Sequence, residues 1–280
     1  EASPNTPAVS LYPPTATESG RPIYGQISNW FIPLSPSQTF DITSSYWTGF
    51  EEYPPLDPAD PNYRLTERLG YHGEPREVPR ESWEFGQMAN GEVVYDPQHI
   101  FLWTGFRPGY TYELTYETKD PLVIGVGFAA IRDAASYFKF DPDAEVQGRY
   151  AYAYGVSQTG RYLRQMIYEG FTVDERGDRK ALDAIFVHAG GASLGPFNER
   201  FGQANDGGFH SQTKFPILYQ ETRDPATGRA DGLGARIPDG LNPKVFLYQT
   251  SSEYWDRENP TIRSPSGKRP LQARLNRAGS

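Results

Sequence analysis

Apolar positions in the first third of the chain come in short runs broken by Pro, Gly and charged residues, and past residue 98 they become regular. Residues 100–103 (IFLW) and 112–116 read as strands on either side of a turn at residues 105–109. Phe128, Ile131, Ala135 and Phe138 recur at helical spacing, with Arg132, Asp133 and Lys139 on other faces, which predicts an amphipathic helix. Residues 150–154 form an apolar run of strand length, followed by a tight turn over residues 155–160. Leu163, Met166 and Ile167 then mark a second helix, and Gly170 is placed to stop it. Residues 184–187 and 245–248 are further strand candidates. Strands alternating with helices predict an α/β class with a doubly wound, mostly parallel sheet.

The remaining stretches are irregular. Residues 1 to about 25 are rich in Pro, Thr and Ser and read as an extended arm. Residues 26–50 carry short apolar groups such as Trp30-Phe31-Ile32 and Tyr46-Trp47, which fit strands broken by turns. The acidic, Pro-rich stretch 51–79 reads as a surface loop, since its carboxylates show no metal-ligand spacing. Residues 192–243 have no strong period and are rich in Gly, Asn, Asp and Phe; so long an irregular segment in an α/β domain is usually a lid or binding loop. The expected organisation is a β-rich N-terminal extension over residues 1–98 and an α/β core over residues 99–280.

Composition narrows the function classes. A formal net charge of −8 disfavours nucleic acid and anionic membranes as main partners, because both repel a negative surface. No apolar run reaches the roughly 18–20 residues that span a bilayer. The absence of Cys rules out disulfides, thiolate catalysis and Cys-ligated zinc. No metal or cofactor is expected. No leader pattern follows Glu1, so a signal peptide is absent or removed, and a secreted or periplasmic location is expected.

The sharpest chemical signal is the order strand, Gly155-Val156-Ser157-Gln158-Thr159-Gly160, helix. A serine hydroxyl is a weak nucleophile unless it is lifted clear of its neighbours and set beside a base. A sharp strand-to-helix turn does the lifting and needs small residues close to the serine. Ser157 is the candidate nucleophile. The Gln158 backbone N–H, at the positive end of the following helix, is a candidate oxyanion donor. The usual pattern is G-x-S-x-G, and here Thr159 stands at the second Gly position; the bulkier residue requires the elbow to relax or to turn one residue later.

The chain resembles the alpha/beta hydrolase domain family, specifically its alpha/beta hydrolase 10 group. The resemblance rests on residues 105–114 (GFRPGYTYEL), 119–121 (KDP), 125–133 (GVGFAAIRD), 157–161 (SQTGR), 188–192 (HAGGA), 197–201 (FNERF), 224–229 (DPATGR) and 250–255 (TSSEYW). It covers about residues 100–255. It implies an α/β-hydrolase fold, a serine nucleophile at Ser157, and Thr159 as a normal residue of the motif.

In such hydrolases the triad follows the order Ser, acid, His. Glu253 lies just past the strand candidate 245–248 and is the expected acid, with Asp224 and Asp256 as weaker alternatives and a pairing with Arg161 or Arg257 as its ordinary structural role. All four histidines, His72, His99, His188 and His210, precede Glu253, whereas the resemblance implies a catalytic His further on. Three readings stay open: a truncated or processed chain, an unusual base, or lost activity. The first implies a second polypeptide carrying the C-terminal part with the His. His188, Phe197 and His210 are candidates to line the substrate site, with packing as the alternative for each. The expected activity is hydrolysis of a small-molecule carboxylic ester; an amidase or peptidase, or an inactive binding protein on the same scaffold, are the rivals.

Overall fold

The structure is a computed structural model that describes residues 13–42, 53–70, 73–191, 195–202, 218–223 and 228–250. Contacts divide the chain into two units, Glu1–Gly125 with Asn198–Asn205, and Val126–Phe197 with Asp206–Ser280.

The first unit is antiparallel. Strands β1 (Thr17–Glu18) and β2 (Arg21–Pro22) form a small hairpin. They precede β3 (Tyr24–Phe31), β4 (Ser37–Asp41), β5 (Arg64–Leu69) and β6 (Arg76–Val78). Strands β7 (Trp83–Phe85), β8 (Gln87–Ala89), β9 (Glu92–Val94), β10 (His99–Phe106) and β11 (Tyr110–Lys119) follow. One sheet has the order β3-β11-β5-β6 and another β4-β10-β7. Period-two alternation turns Ile27 and Phe31 of β3 and Tyr112, Leu114 and Tyr116 of β11 inward. They share one core with Ile100, Leu102 and Phe106 of β10. Phe31, Phe106 and Tyr112 meet there at ring separations of 5.0–5.5 Å.

Three expectations change. Part of the expected N-terminal arm is the β1–β2 hairpin. The expected surface loop 51–79 contains β5 and β6, because Leu65 is a buried anchor opposite Leu114 while the outward positions carry charge. The turn expected at 105–109 starts later, since β10 runs to Phe106. Contacts group β10 and β11 with the antiparallel unit up to Gly125, because β10 pairs with β4 and β7, and β11 with β3 and β5.

The second unit is the α/β part. Helix α1 (Gly127–Phe140) leads to β12 (Tyr152–Val156), α2 (Gln158–Tyr168) and β13 (Ala184–His188). The short pair β14 (Thr222–Arg223) and β15 (Ala230–Asp231) comes before β16 (Lys244–Tyr248). Strands β12, β13 and β16 pair in parallel in that order. Ile185 and Val187 are buried against Leu163, Met166 and Ile167 of α2, and Leu233 and Ile237 join the same core. The opposite sheet face carries Tyr152, Tyr154, Phe186, Phe246 and Tyr248, all exposed. Of the apolar set that predicts α1, Phe128 is buried, whereas Ile131 and Phe138 are exposed. Gly170 follows the end of α2 with φ +81°, the left-handed stop expected of it.

Two polar clusters hold this unit. Lys139, in the last turn of α1, donates to Asp183 Oδ2 at 2.7 Å and to the Lys180 carbonyl at 2.6 Å, and the same Asp183 oxygen accepts the Ala151 N–H at 2.9 Å. This fixes the entry into β12 and β13. At the far end of α2, the Tyr168 hydroxyl donates to Asp231 Oδ2 at 2.8 Å, Arg229 pairs with the same oxygen, and the Gly232 N–H reaches Oδ1 at 2.8 Å. Burial alone would push the Asp231 carboxyl up, but the hydrogen bonds from Tyr168, Gly232 and Arg229 outweigh it and hold the group below its ordinary value. A carboxyl lowered on folding contributes stability above its unfolded pKa of about 4, and the contribution is lost as pH falls through the folded value. Asp231→Asn is therefore expected to cost about 1–2 kcal/mol at pH 7, and the gap from wild type should narrow as urea unfolding is repeated below pH 4. A gap that stays constant with pH would show that the ionised form is not what matters.

Candidate active site

Ser157 sits at the junction of β12 and α2 with φ 54° and ψ −119°. Few L-residues adopt this backbone, and holding it costs about 1–3 kcal/mol that the surroundings must offset. Three close approaches provide the constraint. A Cβ on Gly155 would lie 2.6 Å from the Thr159 carbonyl oxygen and 2.8 Å from the Gly160 nitrogen. A Cβ on Gly160 would lie 3.0 Å from the Gly155 oxygen and 3.2 Å from the Gly190 Cα. One on Gly190 would meet the Gly160 carbonyl carbon at 2.9 Å. Strand, helix and the turn after β13 thus touch main chain to main chain, which only glycine allows.

The Ser157 N–H donates to the His188 carbonyl at 2.8 Å, so the ladder between β12 and β13 runs into the elbow. The Ser157 carbonyl accepts the Arg161 N–H at 3.0 Å and starts the helix. Ser157 is the N-cap of α2, yet its side chain makes no capping bond. A serine placed for capping alone would bond the second or third helical N–H. Here the side chain is exposed and, among the described residues, forms no hydrogen bond. The Gln158 N–H precedes the first helical bond and sits at the positive end of α2.

Thr159 fits without relaxing the turn. Its hydroxyl accepts the Val156 N–H and donates to the Val156 carbonyl, both at 2.8 Å. The second glycine of the pattern is displaced to Gly160, which is buried where α2 crosses Val187 and Gly190.

His188 pairs with Val156 across the sheet. Its ring is half-buried, with Nδ1 3.0 Å from the Tyr154 hydroxyl and the ring edge-on to Tyr248 at 4.9 Å. Tyr154 thus engages Nδ1, while the His188 carbonyl takes the Ser157 N–H. His188 and Ser157 therefore meet through main chain. Phe197 packs edge-on against Tyr162 at 5.3 Å, in the core behind α2. Glu253 and His210 lie outside the described residues, as do Asp224, Asp256 and His72. The roles of Gly190 and Thr159 were missed in the sequence; the paired glycines after His188 were the available signal for the first.

A family model described as alpha/beta hydrolase domain matches residues 107–275, which takes in β11, the whole elbow and all three parallel strands. The chain belongs to the alpha/beta hydrolase domain family. No curated protein and no solved structure matches it significantly. Family membership supports the α/β-hydrolase fold and points to hydrolase chemistry. In this hydrolase-family chain the match begins inside the antiparallel unit, so the family's span and the contact boundary at Gly125 do not coincide. Arg161 and Arg164, one and two turns past the elbow, are buried in α2 and both are partnered. Gln165 accepts the Gly195 N–H at 2.9 Å. The helix behind the hydrolase-family serine is thus anchored by polar as well as apolar contacts.

Proposed function

We propose that the chain is a serine hydrolase that cleaves carboxylic esters through an acyl-enzyme on Ser157. The observation that carries this reading is the backbone of Ser157: a non-glycine residue at φ 54° between a parallel strand and a helix, with its side chain unused for capping. Strain of that kind is kept where it serves a site.

In the proposed reaction the Ser157 oxygen attacks the ester carbonyl carbon while a histidine takes its proton. Glu253 orients that histidine and stabilises its charged form. The carbonyl oxygen becomes an oxyanion beside the Gln158 N–H and a second donor. Collapse releases the alcohol, which takes the proton from the histidine. Water then attacks the acyl-enzyme, and the acid leaves with Ser157 restored. The chain order Ser157 then Glu253 supports this assignment. The histidine is proposed to come from a C-terminal part of the protein beyond Glu253, carried on a second polypeptide if the protein is processed. His188, Phe197 and His210 remain proposed as lining of the substrate site, with the Tyr154 contact of His188 and the Tyr162 packing of Phe197 limiting the first two to supporting roles.

The test is covalent labelling of the intact protein with a fluorophosphonate, followed by mapping of the adduct. The expected adduct is on Ser157, with turnover of a short aryl ester and little of the matching amide. An adduct elsewhere, or none, rejects the reading.

A further inference from the structure

We infer that Thr159 is a positioning residue that fixes the direction of the Ser157 side chain by clamping the preceding peptide groups; this rests on the esterase reading above.

Ser157 donates its N–H to His188 on β13. Main-chain groups alternate sides along a strand, so the N–H and C=O of Val156 project away from β13. Strand β12 is an edge of its three-stranded sheet among the described residues. The Thr159 hydroxyl satisfies both groups, as acceptor for the N–H and donor to the C=O, each at 2.8 Å. A threonine in a helix often returns a bond to the carbonyl three or four residues back, and that half of the contact would be ordinary. The second half is not: the same oxygen also holds the N–H of that residue, which closes a ring from the first turn of α2 to the last residue of β12.

Val156 is joined directly to Ser157. Rotation about the Val156 torsions reorients the peptide that joins it to Ser157 and moves the hydroxyl. Misplacement of a nucleophile by about 1 Å lowers rate on the order of 100-fold. Where the usual pattern has a glycine with no side chain, this chain has one that reaches back and pins the elbow. The glycine demanded by close packing moves to Gly160, where a Cβ would stand 3.0 Å from the Gly155 oxygen.

The comparison is Thr159→Val, which keeps the shape and removes the hydroxyl, against Thr159→Ser, which keeps the hydroxyl. Thr159→Val is expected to lower kcat for an aryl ester and the rate of fluorophosphonate labelling by about 10–100-fold, with KM within about threefold. Thr159→Ser is expected to retain rates within about threefold. Independently of activity, exchange of the Val156 amide should speed up by about tenfold or more in Thr159→Val, while the Ser157 amide, bonded to His188, holds. Should the valine variant fail to fold, Thr159→Ala against Thr159→Ser gives the same contrast. Equal reactivity of wild type and Thr159→Val overturns the positioning role alone. A serine variant as impaired as the valine variant does the same. A wild type that takes no label rejects the esterase reading, and this role with it.

Discussion

Replacing Ser157 with alanine is expected to lower turnover of an aryl ester by about four orders of magnitude or more and to abolish fluorophosphonate labelling. The size follows from the role: without the nucleophile only substrate binding and the oxyanion donors remain. The protein itself should be little disturbed. The Ser157 side chain makes no capping bond and is exposed, so removing its oxygen leaves no buried partner behind. Alanine also occupies the same strained backbone at the same cost. Unfolding free energy is thus expected to stay within about 0.5 kcal/mol of wild type. A variant that keeps turnover within tenfold would place the chemistry at another residue. One that loses activity together with several kcal/mol of stability would point to a structural serine.

Gly155→Ala is expected to be strongly destabilising. The added Cβ would lie 2.6, 2.7 and 2.8 Å from the Thr159 carbonyl oxygen, the Thr159 carbonyl carbon and the Gly160 nitrogen. All three are main-chain atoms of α2, so no side chain can swing aside. Relief requires the helix to lift from the strand, and α2 carries Leu163, Met166 and Ile167 into the core. Overpacking of this kind costs about 3 kcal/mol. For a chain of this size that is a fall in Tm of roughly 6–12 °C. Calorimetry checks it, and a Tm within 2 °C of wild type would mean that β12 and α2 are not held as close as the distances state. By contrast, a methyl at Gly91 would meet nothing within 4 Å and would be strained only through the backbone, whose φ there is +87°.

The α/β part was legible because its pattern is strong and local. The run before Ser157, the 3.6 period after it and Gly170 at the stop each follow from a few adjacent residues. Where the sequence misled, the reason is specific. Strand β5 reads RLTERL and offers one buried side chain, Leu65; Arg64 and Arg68 pair with Glu77 and Glu113 on neighbouring strands, and Glu67 with Arg107. Cross-strand charges look like a surface loop until the partners are known. Thr159 looked like a steric difficulty because bulk is readable from a sequence, whereas a hydroxyl returning to the main chain depends on the turn being already formed. The inward face of α1 was overdrawn for a related reason: Ile131 and Phe138 fit the period, yet spacing does not say how much of a stripe a neighbour covers.

The torsions of Ser157 have a further implication. Reflected through the origin, φ 54° and ψ −119° become −54° and 119°, an ordinary extended conformation. Glycine, being achiral, finds both equally comfortable. Ser157→Gly should accordingly melt higher than the native protein, by an amount corresponding to about 1 kcal/mol after the greater freedom of the unfolded glycine chain is subtracted, while having no hydroxyl to offer an ester. The sturdiest version of this bend would be inert, and the working version lives with a residue its own main chain resists.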